Sequence, residues 1–356
     1  MTGLLERERE LAALEALLEG DGGALVVEGA SGIGKTALVE TACSRAEGLD
    51  REVLRARGSE LEAGFPFGVV RQLFERRLAG DDEQEALLAG PAAAVRPLLL
   101  GDLSGTDAGD RSFAVLHGLY WLAINIAGQR PLLLAVDDAQ WADEPSSRWL
   151  AYLARRLDGL GIALIVALRS GEPVFEHSLL SAMRSEASIV RPRLLSEPGV
   201  AALVRATVGD DTTDELCAVV WAASGGNPFY VTELLRALEL GERSPAELDP
   251  GVSLAGGVEA VAGRVVTRLR TGDPRALELA QALALLGDGS ELRHAAAIAG
   301  VGTSAAVGLA AGLVRSDILA QDDPPVFLHP IIRDALERDQ LCSHRSPLRL
   351  VRGPRA

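Results

Sequence analysis

Eight consecutive residues, Gly29-Ala30-Ser31-Gly32-Ile33-Gly34-Lys35-Thr36, constrain this chain more than any other feature. They follow the spacing G-x-x-x-x-G-K-[ST], between the apolar run "ALVVEG" and a helical pattern that begins at about Lys35. Glycines let successive backbone N–H groups turn inward around phosphate oxygens, and the following helix aims its positive end at them. A strand, this turn and a helix predict an α/β P-loop fold, with the backbone from Gly29 to Ala37 as the phosphate cradle. Of the 35 Lys and Arg residues, Lys35 alone is lysine. A compact ammonium fits a tight phosphate nest where the planar arginine fork does not, so Lys35 is expected at the β- and γ-phosphates. The Thr36 hydroxyl is expected on Mg²⁺.

A second stretch, "LLLAVDDAQWAD", follows about a hundred residues later. An apolar run ending in an acid is the Walker B arrangement, with Asp137 as a Mg²⁺ ligand. Asp138 is expected to orient or deprotonate an attacking water, or else to cap the following turn. The strand "IALIVALRS" ends in Arg169, which would touch a γ-phosphate or simply be solvated where the strand emerges.

The rest of the chain supplies the setting. Its 356 residues exceed one compact core and predict two or three domains. Apolar runs at Ala24–Gly29, Glu52–Gly58, Pro131–Asp138 and Ile162–Ser170, and a weaker one at Ser188–Leu195, alternate with helical patterns. That alternation predicts a parallel sheet covered by helices on both faces. Helical patterning runs from Glu197 to Leu240, then "GERSPAELDPGVSLAGG" reads as a linker. Helices are expected near Val258–Leu269, Pro274–Leu286, Leu292–Ala299 and Ser304–Leu313. A hairpin in "SDILAQDDPPVFLHP" and a helix at Ile331–Asp339 follow, which together suggest a winged helix. The expected domains are therefore a nucleotide domain at 1–208, a helical lid and linker at 209–256, a winged-helix-like domain at 257–340 and a basic, disordered tail at 341–356. Three scattered cysteines without CxxC, no secretion signal at the N-terminus and no apolar run of spanning length suggest a reduced, cytoplasmic protein with no membrane partner.

The ordered set "LLERERELAALEALL", "GASGIGKTALVE", "FPFGVVRQLFERRL", "LLLAVDDAQWAD", "ALRS", "GGNPFYVTELL" and "FLHPIIRDAL" resembles the large ATP-binding regulators of the LuxR family. These are STAND-class signalling NTPases with an Orc1/AAA-like nucleotide domain. A looser similarity extends to the ATPase region of soluble adenylyl cyclases. The resemblance implies that Pro228 packs on adenine, that Arg169 is a sensor arginine and that His329 contacts the β-phosphate of ADP. Turn chemistry at Gly226-Asn227-Pro228 and a helix start at His329-Pro330 are the structural alternatives. ATP, ADP and Mg²⁺ are the implied ligands, and a slow ATPase switch the implied function.

Such regulators continue into helical repeats and a DNA-binding helix-turn-helix, and this chain shows neither after residue 340. Its tail resembles a truncated end. Residues 273–340 carry ten acids and five arginines, and "TSAAVGLAAGL" in the recognition position is uncharged. Base readout needs polar side chains there and phosphate contact needs cations, so sequence-specific DNA binding by this chain alone is not expected. A net charge of −15 adds long-range repulsion. Self-association or a regulatory protein partner remains open. An Orc-type ATPase assembling on DNA, and a fragment that binds nucleotide without hydrolysing it, are the alternative readings.

Overall fold

The computed structural model describes residues 4–59, 62–79, 81–100, 111–170, 186–239, 269, 273–287, 290–316, 318–322, 324–328 and 330–343. The chain divides into two compact units, one of Glu6–Arg193 and one of Leu194–Ala356 with Met1–Leu5.

The first unit is built on β1 (Gly22–Gly29), β2 (Glu52–Arg57), β3 (Leu132–Asp137), β4 (Ile162–Arg169) and β5 (Ser188–Val190). They form one sheet in the order β2-β3-β4-β1-β5, and every pairing is parallel. β3 is buried along its whole length, and β4 is buried from Ile162 to Leu168. Strands covered on both faces read as unbroken apolar runs, which is how "LLLAVD" and "IALIVAL" stand in the sequence. β5 ends at Val190, well before the expected Leu195. Pro192 lacks the N–H that a ladder needs, so the chain leaves the sheet there.

Around the sheet lie α1 (Glu8–Glu19), α2 (Lys35–Gly48), α3 (Gly68–Phe74), α4 (Asp81–Leu87), α5 (Arg96–Leu100), α6 (Arg111–Ala127) and α7 (Glu144–Ala154). Phe74 on α3 meets the fully buried Trp149 on α7 edge to face at 5.5 Å. Asp143 joins the same two helices. Its carboxylate caps α7 at the Ser146 N–H (2.9 Å) and also accepts from the Phe67 N–H at 2.7 Å. In a parallel sheet the loops at the carboxyl ends of the strands form a crevice where the chain changes direction. Here that crevice lies where β1 stands between β4 and β5.

The second unit contains α8 (Glu197–Val208), α9 (Asp214–Ser224), α10 (Pro228–Glu239), α11 (Pro274–Leu286), α12 (Leu292–Ile298), α13 (Thr303–Arg315) and α14 (Pro330–Ser343). A short antiparallel hairpin of β6 (Leu319–Asp322) and β7 (Pro325–Phe327) precedes α14. The helical stretch from Glu197 is cut into three by Gly209 and by Gly225, the latter left-handed at φ 57°. Val200 and Val204 of α8 are fully buried in this unit's own core. The boundary therefore falls after Arg193, ahead of the helix that the sequence pattern attached to the nucleotide domain. α14 runs to Ser343, past the Gln340 boundary read from composition. The helix expected at Val258–Leu269 lies outside the described residues, Leu269 apart, and so does His329. Among the described residues no single helix is long and apolar enough to cross a membrane.

Candidate functional site

The loop from Gly29 to Gly34 leaves the end of β1 and enters α2 at Lys35. Gly32 and Gly34 adopt φ of 77° and 102°, which only glycine reaches without strain. Gly34, the N-cap residue of α2, has no side chain to cap the helix. Lys35 is buried to 7% exposure, and its Nζ donates to the carbonyls of Gly29 (2.8 Å) and Ala30 (2.7 Å). Thr36 Oγ1 donates to Asp137 Oδ2 at 2.8 Å across a separation of 101 residues. The two halves of the sequence reading, loop and acid, thus meet at one hydroxyl.

Asp137 and Asp138 do different things. Asp137 is buried at the end of β3, and its Oδ1 accepts the N–H of Asp138 at 2.9 Å. Asp138 turns out of the strand with a left-handed φ of 48°. Its Oδ2 accepts from Arg57 Nε (2.9 Å) and Nη2 (2.7 Å), and its Oδ1 from Gln140 Nε2 (2.9 Å). Burial pushes the Asp138 carboxyl up, but the bonds from Gln140 and Arg57 and the charges of Arg57 and Arg169 outweigh it. The group is held below the usual carboxylate range. Gln140 reaches the other way too, accepting the Arg169 N–H at 3.2 Å. The crossing is tight: a Cβ on Gly58 would stand 2.3 Å from the Asp138 carbonyl oxygen.

Residues 3–166 match the model of the AAA ATPase domain. The match takes in the loop, Thr36, both aspartates and Arg57. No curated protein matches the sequence. Among solved structures, the Walker-type ATPase of Pyrococcus abyssi has a TM-score of 0.63 at 14% identity, covering 94% of this chain and 96% of that one. The Aeropyrum pernix ORC2 protein, solved in ADPNP–ADP complexes, gives 0.58 at 16%, covering 97% and 96%. The Aeropyrum pernix ORC1 protein in complex with DNA gives 0.53 at 14%, covering 97% and 95%. At such identities the likeness is one of fold.

Two cavities lie in the unit of Glu6–Arg193. One of about 460 Å³ is lined by Thr36, Asp137, Cys43, Arg57 and Arg76. The other, of about 470 Å³, is lined by Glu6, Glu10, Val190, Arg191 and Arg193. Arg191, on the wall of the second, braces Glu28, the residue before Gly29, through Nε (2.8 Å) and Nη2 (2.7 Å). Arg169 ends β4 beside Gly29, its register partner on β1. Pro228 opens α10 in the second unit, where the Asn227 side chain accepts the Phe229 N–H at 3.0 Å.

Sequence reading missed Arg57, Gln140 and Arg7. Arg57 carried one faint signal, a cation at the end of the strand "EVLRAR"; the β2–β3 register then sets it opposite Asp137. Gln140 stood inside the acidic motif without a chemical pattern of its own. Arg7 stood as one more charge within "LLERERELAALEALL".

Proposed function

We propose that this chain is an ATP-binding switch that hydrolyses ATP slowly. The observation that carries the reading is the Thr36–Asp137 hydrogen bond beside the glycine loop, at the carboxyl ends of β1 and β3, the two neighbours of β4 in the parallel sheet. The backbone from Gly29 to Ala37 would cradle the phosphates. Lys35 would leave its two carbonyls for the β- and γ-phosphates. Thr36 and Asp137 form an oxygen donor pair suited to Mg²⁺, which would neutralise charge on the phosphates. Asp138, kept ionised by Arg57 and Gln140, would orient the attacking water. Arg169 would sense the γ-phosphate, and the resemblance adds Pro228 at adenine and His329 at the β-phosphate. A site without an arginine supplied by a partner runs ~10³–10⁵-fold slower than a complete one, hence the slow rate.

In this reading α11–α13 with the β6–β7 hairpin act as a winged-helix-like module of a STAND/LuxR-type regulator, which reports the nucleotide state to a protein partner or a second copy. A second reading, an Orc-type ATPase assembling on DNA, is favoured by the fold likeness to the ORC1 protein, solved in a DNA complex. Against it stand the acidic balance of 273–340 and a helix, α13, whose first charge is Arg315.

Titration with a fluorescent ATP analogue and Mg²⁺ tests the proposal. Wild type should bind, and Lys35→Ala should lose at least about tenfold in affinity, since a charge-assisted phosphate contact is removed. Equal affinities would sink the assignment.

A further inference from the structure

Arg7 precedes α1, yet its side chain is turned inward and only 3% exposed. Its guanidinium donates to three backbone carbonyls: Glu6 at 2.9 Å, Ile33 at 3.1 Å and Arg193 at 2.8 Å. A buried cation is costly unless it is hydrogen-bonded, and three carbonyls meet this one. Burial pulls the guanidinium pKa down, and Glu10, Glu6 and Glu8 oppose that.

We propose that Arg7 is a positioning residue for the phosphate loop, setting the direction of the Gly34 N–H through the carbonyl of Ile33. This rests on the nucleotide-binding reading above and deepens it. A trans peptide is planar, with its C=O and N–H on opposite sides. Holding Ile33 O towards Arg7 therefore sends the Gly34 N–H the other way. Gly34, at φ of 102°, leaves one of the two dihedrals that turn the peptide between Ile33 and Gly34 free of a side chain's restriction. The loop's own bond from the Ile33 N–H to Ala30 O is long, at 3.5 Å. Lys35 holds the first two carbonyls of the loop, those of Gly29 and Ala30. Arg7 holds the one next to Gly34. A flipped peptide would exchange a donor for the negative end of a carbonyl dipole at the phosphate cradle, and affinity would fall.

The same guanidinium grips Glu6 and Arg193, the two ends of the compact unit. The orientation of one loop peptide is thereby tied to the path of the chain where it enters and leaves the unit.

The control is built into the same unit. Arg51 is also buried, and its guanidinium is also held by carbonyls, those of Leu18 (2.9 Å), Gly20 (2.9 Å) and Gly161 (3.2 Å). These precede the first residues of β1 and β4, at the amino ends of the strands, opposite the loop. Arg7→Gln, Arg7→Lys and Arg51→Gln are titrated with Mg-ADP by calorimetry, and the Gly34 amide is followed in ¹⁵N-glycine-labelled protein. Both Arg7 variants should bind roughly tenfold to a hundredfold more weakly, as expected for a lost charge-assisted bond. They should also shift the Gly34 resonance. Arg51→Gln should lower Tm while affinity and the Gly34 resonance stay as in wild type. Ethylguanidinium should restore part of the affinity of Arg7→Ala. Arg7→Lys keeps the charge but cannot span three carbonyls, so it serves if the glutamine variant does not fold. Wild-type affinity in a folded Arg7 variant, or an unmoved Gly34 resonance, overturns this proposal alone. Absence of ADP binding in wild type overturns it together with the nucleotide reading.

Discussion

Arg57, the last residue of β2, grips one carboxylate oxygen of Asp138 with both Nε and Nη2, at 2.9 and 2.7 Å. Asp138 directly follows β3, whose last residue, Asp137, is the register partner of Arg57. Asp138 is thus held ionised, its folded pKa lying below the unfolded one. A depressed carboxylate stabilises the fold above its unfolded pKa, and that contribution is lost as pH falls through the folded value.

Arg57→Met should therefore cost stability at neutral pH and progressively less in acid. The guanidinium is 67% exposed, so the cost at pH 7 should be only about 0.5–1 kcal/mol. Urea melts of wild type and variant at pH 7 and below pH 4 check this. A gap that does not narrow in acid would mean that the loss comes from packing and not from the ion pair.

Asp138→Asn should slow turnover while leaving ATP affinity within about twofold of wild type, because Thr36 and Asp137 keep their contact. Single-turnover hydrolysis measured beside equilibrium titration separates the two. An unchanged rate removes Asp138 from the chemistry.

Asp143 is buried to 3% exposure, and its carboxylate serves two chain segments at once, capping α7 and accepting the Phe67 N–H. Phe67 holds a left-handed φ of 61°, so the backbone there depends on that bond. Asp143→Ala should destabilise by about 2–4 kcal/mol, a lost cap plus a buried N–H without a partner. Asp143→Asn, which keeps an acceptor oxygen, should cost less. Equal losses in chemical denaturation would show that charge, and not hydrogen bonding, matters at this position.

Burial pushes the Cys43 thiol up to about 11. In a chain with Cys217 and Cys342 changed to Ser, iodoacetamide at pH 8 should alkylate Cys43 far more slowly in the folded than in the denatured protein, by about a hundredfold or more. A thiol raised in the folded state also costs stability as pH climbs from its unfolded value towards 11, so alkaline melts should show a loss that Cys43→Ala lacks. Rapid alkylation of the native chain contradicts both expectations.

Sequence-specific DNA binding should be absent at physiological salt with either ADP or ATP. Specific readout needs base contacts of ~1–3 kcal/mol each, and α13 offers no charge before Arg315. Fluorescence anisotropy decides, and sub-micromolar binding that discriminates between sequences would promote the Orc-type reading.

Where a structural feature arises from neighbours in the chain, the residues alone determined it. The glycine loop needs φ values only glycine supplies, and a strand buried on both faces must be an unbroken apolar run, so β1, β3 and β4 were legible. The Thr36–Asp137 meeting was legible as well, because loop and acid each sit at the carboxyl end of a parallel strand. Tertiary structure decided the rest. With 34 other Arg and Lys positions, nothing in the sequence says which guanidinium is buried or what it meets. Arg57 finds Asp138 over 81 residues, and Arg7 finds Ile33 over 26 and Arg193 over 186. Those partners follow from the strand order β2-β3-β4-β1-β5 and from where β5 stops. The unit boundary after Arg193 has the same origin, because Val200 and Val204 are apolar enough for either core and only packing shows which one they join. A charge or a methyl group carries its chemistry in the sequence, but its partner is set by which distant segments the fold brings within a few ångströms.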